Sequence, residues 1–345
     1  MKTRLLTIIA AITLVLLSGC EKGRFLSSIN GAPYELLVVA DKSMWNTASG
    51  KALFGLLEKD MPSMPQKEPY FSTSRCDHAD FTSMLKPTRN ILIVDINAKK
   101  YKHNDIAFSK NRWAKPQSVA KIVAPTQDSL LSLIETRGQE ILDYFVQAEL
   151  DREKDFLRKQ SNAQLESMVY EMYNIQIKVP TEITQYKKDP AVNALWLSSG
   201  ANDARTDLII YSYPYTDKAQ LSLDSLMAKR DTVCRQLIPG PVDGSYMGTE
   251  TKYDFPVRRD INKNGKYCAQ ITGLWRVFGK SMMGGPYISH TSIDQLHQQI
   301  VTVEGFVYAP QKNKRNLIRK MEAVLQTVQL PSFANDVTVT ANKQE

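Results

Sequence analysis

Over the first 125 residues, short continuous apolar runs alternate with stretches in which apolar residues recur every three or four positions. Tyr34–Ala40 is a run of buried-strand length. Trp45, Leu53, Leu56 and Leu57 follow at helical spacing until Pro62 and Pro65 stop the helix. Pro69–Cys76 reads as extended, Ala79–Lys86 as a helix with Phe81 and Leu85 four apart, and Asn90–Ile96 and Ser118–Ala124 as further strands. This β-α-β-α-β order predicts a sheet with right-handed crossovers and helices packed on it. The turn after the first strand, Asp41–Met44 (DKSM), lacks the glycines that cradle a dinucleotide phosphate, which argues against a Rossmann cofactor site.

From Thr126 the helical period takes over, with Leu130, Ile134, Ile141, Phe145, Leu165, Met168, Val169 and Met172 near a 3.6-residue repeat. Glu149–Lys159 is almost entirely charged, and Glu149/Arg152 and Asp155/Lys159 are spaced to support a solvated helix. The stretch is either a bridge between two halves or the exposed face of one long helix. An unbroken helix of about 45 residues would span about 65 Å, so a break is expected near Ser161–Asn162. Past Asn174 the pattern changes to strands at Ile175–Val179, Ala194–Ser199, Asp207–Tyr213, Ser245–Asp254, Lys266–Phe278 and Gln299–Tyr308, with helices over Leu221–Leu237 and Lys312–Val328. Asn264–Gly265 and Gly284–Pro286 (GGP) mark hairpin connections, which predicts an antiparallel sheet flanked by helices.

The fold class expected is therefore α+β, with two α/β units joined by a long helix. The boundaries are a signal peptide over 1–19, a flexible tether over 20–32, an N-terminal α/β domain over 33–125, a long charged helix or helix pair over 126–173, a C-terminal antiparallel α+β domain over 174–331 and a disordered tail over 332–345.

The opening segment carries the sharpest signal. Lys2 and Arg4 precede the apolar stretch Leu5–Leu17, which leads into Leu17, Ser18, Gly19 and Cys20. A basic start, a short apolar core and small residues before the cut describe a secretory signal, whereas a membrane-crossing helix needs about 20 apolar residues. The four residues Leu17–Cys20 resemble the bacterial lipobox, which makes Cys20 the lipid-attachment residue. Each buried methylene adds roughly 0.8 kcal/mol of membrane affinity, so two or three acyl chains hold a protein that is otherwise water-soluble.

Removing residues 1–19 takes away Lys2 and Arg4 and no acid, lowering the formal charge from +8 to +6. An exported chain of this charge meets no nucleic acid, leaving anionic lipid headgroups, cell-wall polymers or envelope proteins as partners besides the membrane itself. Cys76, Cys234 and Cys268 remain beside Cys20, with no paired C-x-x-C to suggest zinc. Small buried thiols are the expectation, and a Cys234–Cys268 bridge is the pairing to test.

Several stretches together are similar to an uncharacterised lipoprotein family common in Bacteroidetes, a domain of unknown function. They are Pro33–Asp41 (PYELLVVAD) followed by Trp45, Gln66–Phe71 (QKEPYF), Thr88–Val94 (TRNILIV) and Arg112–Gln117 (RWAKPQ). The resemblance implies a tethered envelope protein and brings no activity. Glu21 is followed by Lys22 and Arg24 rather than an acidic run, which favours a periplasm-facing anchor in the outer membrane. The element order of residues 174–331 weakly resembles the PsbP/Mog1-type α/β/α sandwich.

Catalytic motifs are incomplete. Gly273–Ser281 has five residues between its glycines where a phosphate loop has four, and continues into Gly284–Pro286. Gly244–Gly248 places its serine one position too early for a nucleophile elbow. His290, Asp294 and His297 could share a helix face as a metal site, and Cys76–His78 puts a thiol beside a base, although adjacent strand residues point apart. Lys312, Lys314, Arg315, Arg319 and Lys320 form a basic run suited to anionic headgroups or cell-wall phosphates, and Trp113 sits between Arg112 and Lys115 like a loop anchor. No catalytic, cofactor or metal residue is assigned. The reading is a noncatalytic binding or assembly module, against two alternatives. One is a periplasmic hydrolase or metal-dependent enzyme whose site forms only in three dimensions, and the other is a small-ligand-binding lipoprotein using an interdomain cleft.

Overall fold

The structure, a computed structural model, describes residues 26–263 and 265–331. Cys20, the signal segment and the tail from 332 lie outside the described residues. The chain is α+β, and the described residues form two large sheets, each with its own core, and one two-stranded pair.

The first unit runs through β1 (Ser27–Ser28), β2 (Glu35–Val39), α1 (Ala48–Leu57), β3 (Ser72–Cys76), β4 (Asn90–Ile96), β5 (Asp105–Lys110), β6 (Ala114–Lys115) and β7 (Ser118–Ala124). Its main sheet has the order β3-β2-β4-β7-β5, parallel except for β5. Strands buried on both faces read as continuous apolar runs. Leu36, Val38, Leu92, Val94, Ala120 and Ile122 face α1 and the following long helix, while Leu37, Val39, Ile91 and Val119 face the opposite way.

The helix expected over Ala79–Lys86 is a single 3-10 turn, His78–Asp80, followed by further turns. Phe81 and Leu85 still pack on the sheet, but two apolar residues give no stripe to bury. Strand β5 escaped the sequence pattern because only Ile106 within it is buried. The tether expected over 20–32 is held from Ser27 onward, since β1 pairs in parallel with β6 and Asn30 bridges Thr88.

Helix α2 (Gln127–Lys159) is capped by the Thr126 side chain, ends at Lys159, and is followed by α3 (Ala163–Tyr173), capped by Asn162. At about 1.5 Å per residue, α2 is about 50 Å long. The Glu149/Arg152 pair expected on a solvated face is buried. Glu149 accepts from Arg89 at 2.6 and 2.9 Å and from Asn90 Nδ2 at 2.6 Å, while Arg152 reaches the Asn90 side chain and the Pro116 and Arg89 carbonyls.

The second unit holds β8 (Gln185–Asp189), β9 (Ala194–Ser198), β10 (Arg205–Pro214), α4 (Leu223–Leu237), β11 (Tyr246–Glu250), β12 (Val257–Lys263), β13 (Lys266–Phe278), β14 (Gly284–Asp294), β15 (Gln299–Tyr308) and α5 (Arg315–Thr327). One antiparallel sheet runs β11-β13-β14-β15-β10-β9-β8, with β12 on the same side of β13 as β11, so β8 forms one border and β11 and β12 the other. Helix α4 covers one face through Ile209, Tyr211, Ile271 and Phe306, and α3 and α5 cover the other through Leu195, Leu208, Ile288 and Val303. Under α4, Arg230 and Glu304 form a fully buried two-pronged pair at 2.7 and 2.6 Å.

Several expectations for this half change. Ile175–Val179 forms no strand, only the single bridge Gln176–Gln329, and Ile175, Ile177 and Val179 plug the core beneath α3. The Gly284–Pro286 sequence starts β14 instead of turning the chain. A Cβ at Gly285 would lie 2.0 Å from the Val307 carbonyl oxygen, so the close strand approach demands glycine. The turn itself is built around Gly279, at φ +107°. Cys234 belongs to the α4-side core, whereas Cys268 neighbours Ala269, which faces that core, and so points the other way. All three described cysteines are free and buried, and the Cys234–Cys268 bridge is not formed.

Candidate functional site

Helix α5 meets both halves. Its first amides are capped from the first half, where the buried Glu68 carboxylate accepts from Lys314 N at 2.8 and 2.9 Å and from Arg315 N at 2.7 Å. A carboxylate at this end satisfies orphaned donors and opposes the positive helix pole. Arg315 adds a bond to Pro69 O at 3.1 Å and lies over the Tyr34 ring, and Lys320 pairs with Glu182 beside Glu153.

Along α5, a cavity of about 170 Å³ opens between the halves. Met61, Ser63, Met64 and Tyr70 come from the first half's loops, Gln139, Asp143 and Val146 from α2, Arg259, Gln270 and Thr272 from β12 and β13, and Ile318, Arg319 and Glu322 from α5. The buried Arg319 guanidinium lies 5.1 Å from the centre of the Tyr70 ring and pairs with Glu322, while its Nε has no partner among the described residues. The guanidinium is thus held between the Tyr70 ring and the Glu322 carboxylate, and the thioethers of Met61 and Met64 line the same cavity.

A second pocket, about 210 Å³, lies at the other end of α5 and is lined by Lys263, Lys266, His290, Ser292, Gln329, Leu330 and three valines. Lys263 donates to Leu325 O in the last turn of α5. Burial, with Lys154 adding repulsion, brings its pKa down to about 8. His290 Nε2 lies 3.0 Å from Gln270 Oε1, while Nδ1 faces Leu325 O without the alignment of a hydrogen bond. Burial first, and the Lys263 charge second, push this imidazole down to about 3, so it is neutral at ordinary pH. Gln270 lines the inter-half cavity and bonds the histidine of this second pocket.

The residues singled out by sequence disperse. His290 and Asp294 lie on strand β14, not on a helix, and His297 follows in a turn with Nδ1 2.6 Å from Asp294 Oδ2. Among the described residues, no group of three or more His, Cys, Asp or Glu is placed to hold a metal. The Cys76 thiol donates to the Asp77 carbonyl and His78 Nε2 meets Val94 O, so the two do not pair. Gly273 lies inside strand β13, and the stretch to Ser281 opens no helix. Ser245 is tied to Val242 in a turn. Trp113 packs edge-on against Phe81 at 5.4 Å, with Arg112 over its ring. The side chains of the basic run are engaged within the chain: Lys312 with Asp203, Lys314 with the Lys312 carbonyl and Gln66, Arg315 with the Pro69 carbonyl and Ser72, Arg319 with Glu322 and Lys320 with Glu182.

Residues 29–158 match the domain of unknown function DUF8532, and residues 162–327 match the domain of unknown function DUF4837. Two stretches of the chain are thus each similar to a domain of unknown function. No curated protein matches it. The break between α2 and α3 separates the DUF8532 region from the DUF4837 region, and the first cavity lies where the two regions meet. Sequence reasoning passed over Glu68, Tyr70, Lys263 and Gln270. Only Glu68 and Tyr70 carried a signal, as members of the Gln66–Phe71 string.

Proposed function

We propose that the chain is a lipid-anchored protein of the cell envelope, facing the periplasm from the outer membrane, that acts as a noncatalytic binding or assembly module. The anchor rests on Leu17–Cys20 after the apolar Leu5–Leu17 stretch, in keeping with the Bacteroidetes lipoproteins that the sequence resembles. Among the described residues no helix is long and apolar enough to cross a membrane. The binding role rests on one observation: the cavity between the two regions is walled by both and contains the buried Arg319, whose Nε has no partner among the described residues. That cavity favours a small-ligand reading over the hydrolase alternative, because what converges there is recognition chemistry. Envelope proteins and anionic cell-wall groups are the partners that the surface suits, with the membrane held through the lipid on Cys20.

Intact mass and membrane fractionation of the natural protein beside Cys20→Ala test the anchor. Wild type carries the acyl mass and pellets with membranes, and the variant loses both properties. A wild-type protein without acyl mass, or one soluble after gentle lysis, overturns the assignment.

A further inference from the structure

The pocket at the C-terminal end of α5 has an unusual charge balance. Lys263 and Lys266 line it, Lys154 stands near enough to repel Lys263, and among the described residues no acidic side chain lines it. Among the described residues no carboxylate lies within ion-pair distance of Lys263. Lys263 is half-buried, and an ammonium drawn out of water is normally paired, because removing a charge from water is costly. Here the helix carbonyl Leu325 O is its only partner among the described residues. His290 adds a buried, neutral ring with Nδ1 unpartnered, and Ser292 adds a hydroxyl. The remaining wall is apolar: Val301, Val303, Val328 and Leu330.

Two ammonium groups, Lys263 held on Leu325 O and Lys266 on Pro331 O, together with an aliphatic lining suit a ligand with an anionic head and a short hydrocarbon body. The volume of about 210 Å³ falls below the roughly 300–1,000 Å³ of sites that take drug-sized molecules, which limits the body to a few carbons. We propose that this pocket binds a small aliphatic carboxylate, its carboxylate seated between Lys263 and Lys266 and its chain against Val301, Val303, Val328 and Leu330. The arriving anion supplies the counter-charge that Lys263 lacks, so binding and protonation of Lys263 are coupled. This site is separate from the inter-half cavity and does not depend on the lipid anchor.

Titration of the purified chain with pentanoate, pentanamide and inorganic phosphate, followed by isothermal calorimetry and thermal midpoint, tests the proposal. Pentanoate binds saturably and raises the midpoint. Pentanamide, with the same body and no charge, binds at least tenfold more weakly, as does phosphate, which has charge and no body. Lys263→Met, which keeps the stem and removes the charge, loses pentanoate binding at least tenfold while its own midpoint without ligand stays at or above that of wild type. Equal response to pentanoate and pentanamide, equal response to phosphate, or undiminished pentanoate binding by a folded Lys263→Met each overturns it. Lys266→Met is a second variant: its exposed side chain carries little packing, so unchanged pentanoate affinity there removes Lys266 from the site and overturns the two-lysine seat.

Discussion

At the residue scale, buried charges in this protein are poised by geometry rather than by proximity alone. Asp207, fully buried on β10, has a carboxylate oxygen 2.8 Å from Arg205 Nε, yet neither group finds an aligned hydrogen bond. Arg205 is drawn instead over the rings of Trp196 and Tyr308. Burial therefore outweighs the cation and raises the Asp207 pKa from 3.8 to about 6. Between those values the folded chain holds a proton that the unfolded chain has released, so stability falls as pH rises through that window. Asp207→Asn removes the dependence. Its stability relative to wild type should be about 2 kcal/mol more favourable at pH 7 than at pH 4, read from urea midpoints at the two pH values. An unchanged difference would place the proton elsewhere. None of this was visible in the sequence, where Asp207 merely opened a strand, because a pKa depends on what surrounds the carboxylate in space.

At the scale of elements, α5 depends on a cap from a distant part of the chain. Its preceding residue, Lys314, offers no side-chain cap, and Glu68, some 246 residues earlier, supplies the acceptors. Glu68→Ala should cost about 2 kcal/mol in urea unfolding and Glu68→Gln about half that, since the amide keeps one acceptor but loses the charge that opposes the helix pole. Equal losses would mean that the charge contributes nothing. Elements with an apolar period were legible: β4, β7, β13 and β15 have the bounds that the pattern predicts, and α4 and α5 begin within three residues of theirs. Of the strands that escaped, β5, β8 and β12 bury too few side chains to alternate, whereas β14 is largely buried and escaped because its opening Gly-Gly-Pro reads as a turn. The basic run opening α5 was legible as charge but not as destination: Glu322, three residues from Arg319, lies on the same helix, but the other acidic partners, Asp203 and Glu182, come from loops.

At the scale of the whole molecule, two sheets share a long helix, and α2 packs on α1 in one half and on α5 in the other. Side chains of α2, α5 and the first half's loops interlock around Glu68, Tyr70 and Arg319, so neither half opens without breaking charged hydrogen bonds. The slowest-exchanging amides of the two sheets should therefore report the same opening free energy in native-state hydrogen exchange, as one cooperative unit does. A gap of more than about 2 kcal/mol between the sheets would show that the halves unfold separately.

The borders of the larger sheet carry a further consequence. Unpaired strand edges invite another copy to add itself, the first step toward fibres. Here one margin carries Lys188 beside Asp189 on β8 and the opposite one the Arg258–Asp260 pair on β12, so charged side chains flank both borders and oppose the docking of a second edge. A chain built this way tolerates crowding, whether at high expression or on a two-dimensional surface, without polymerising.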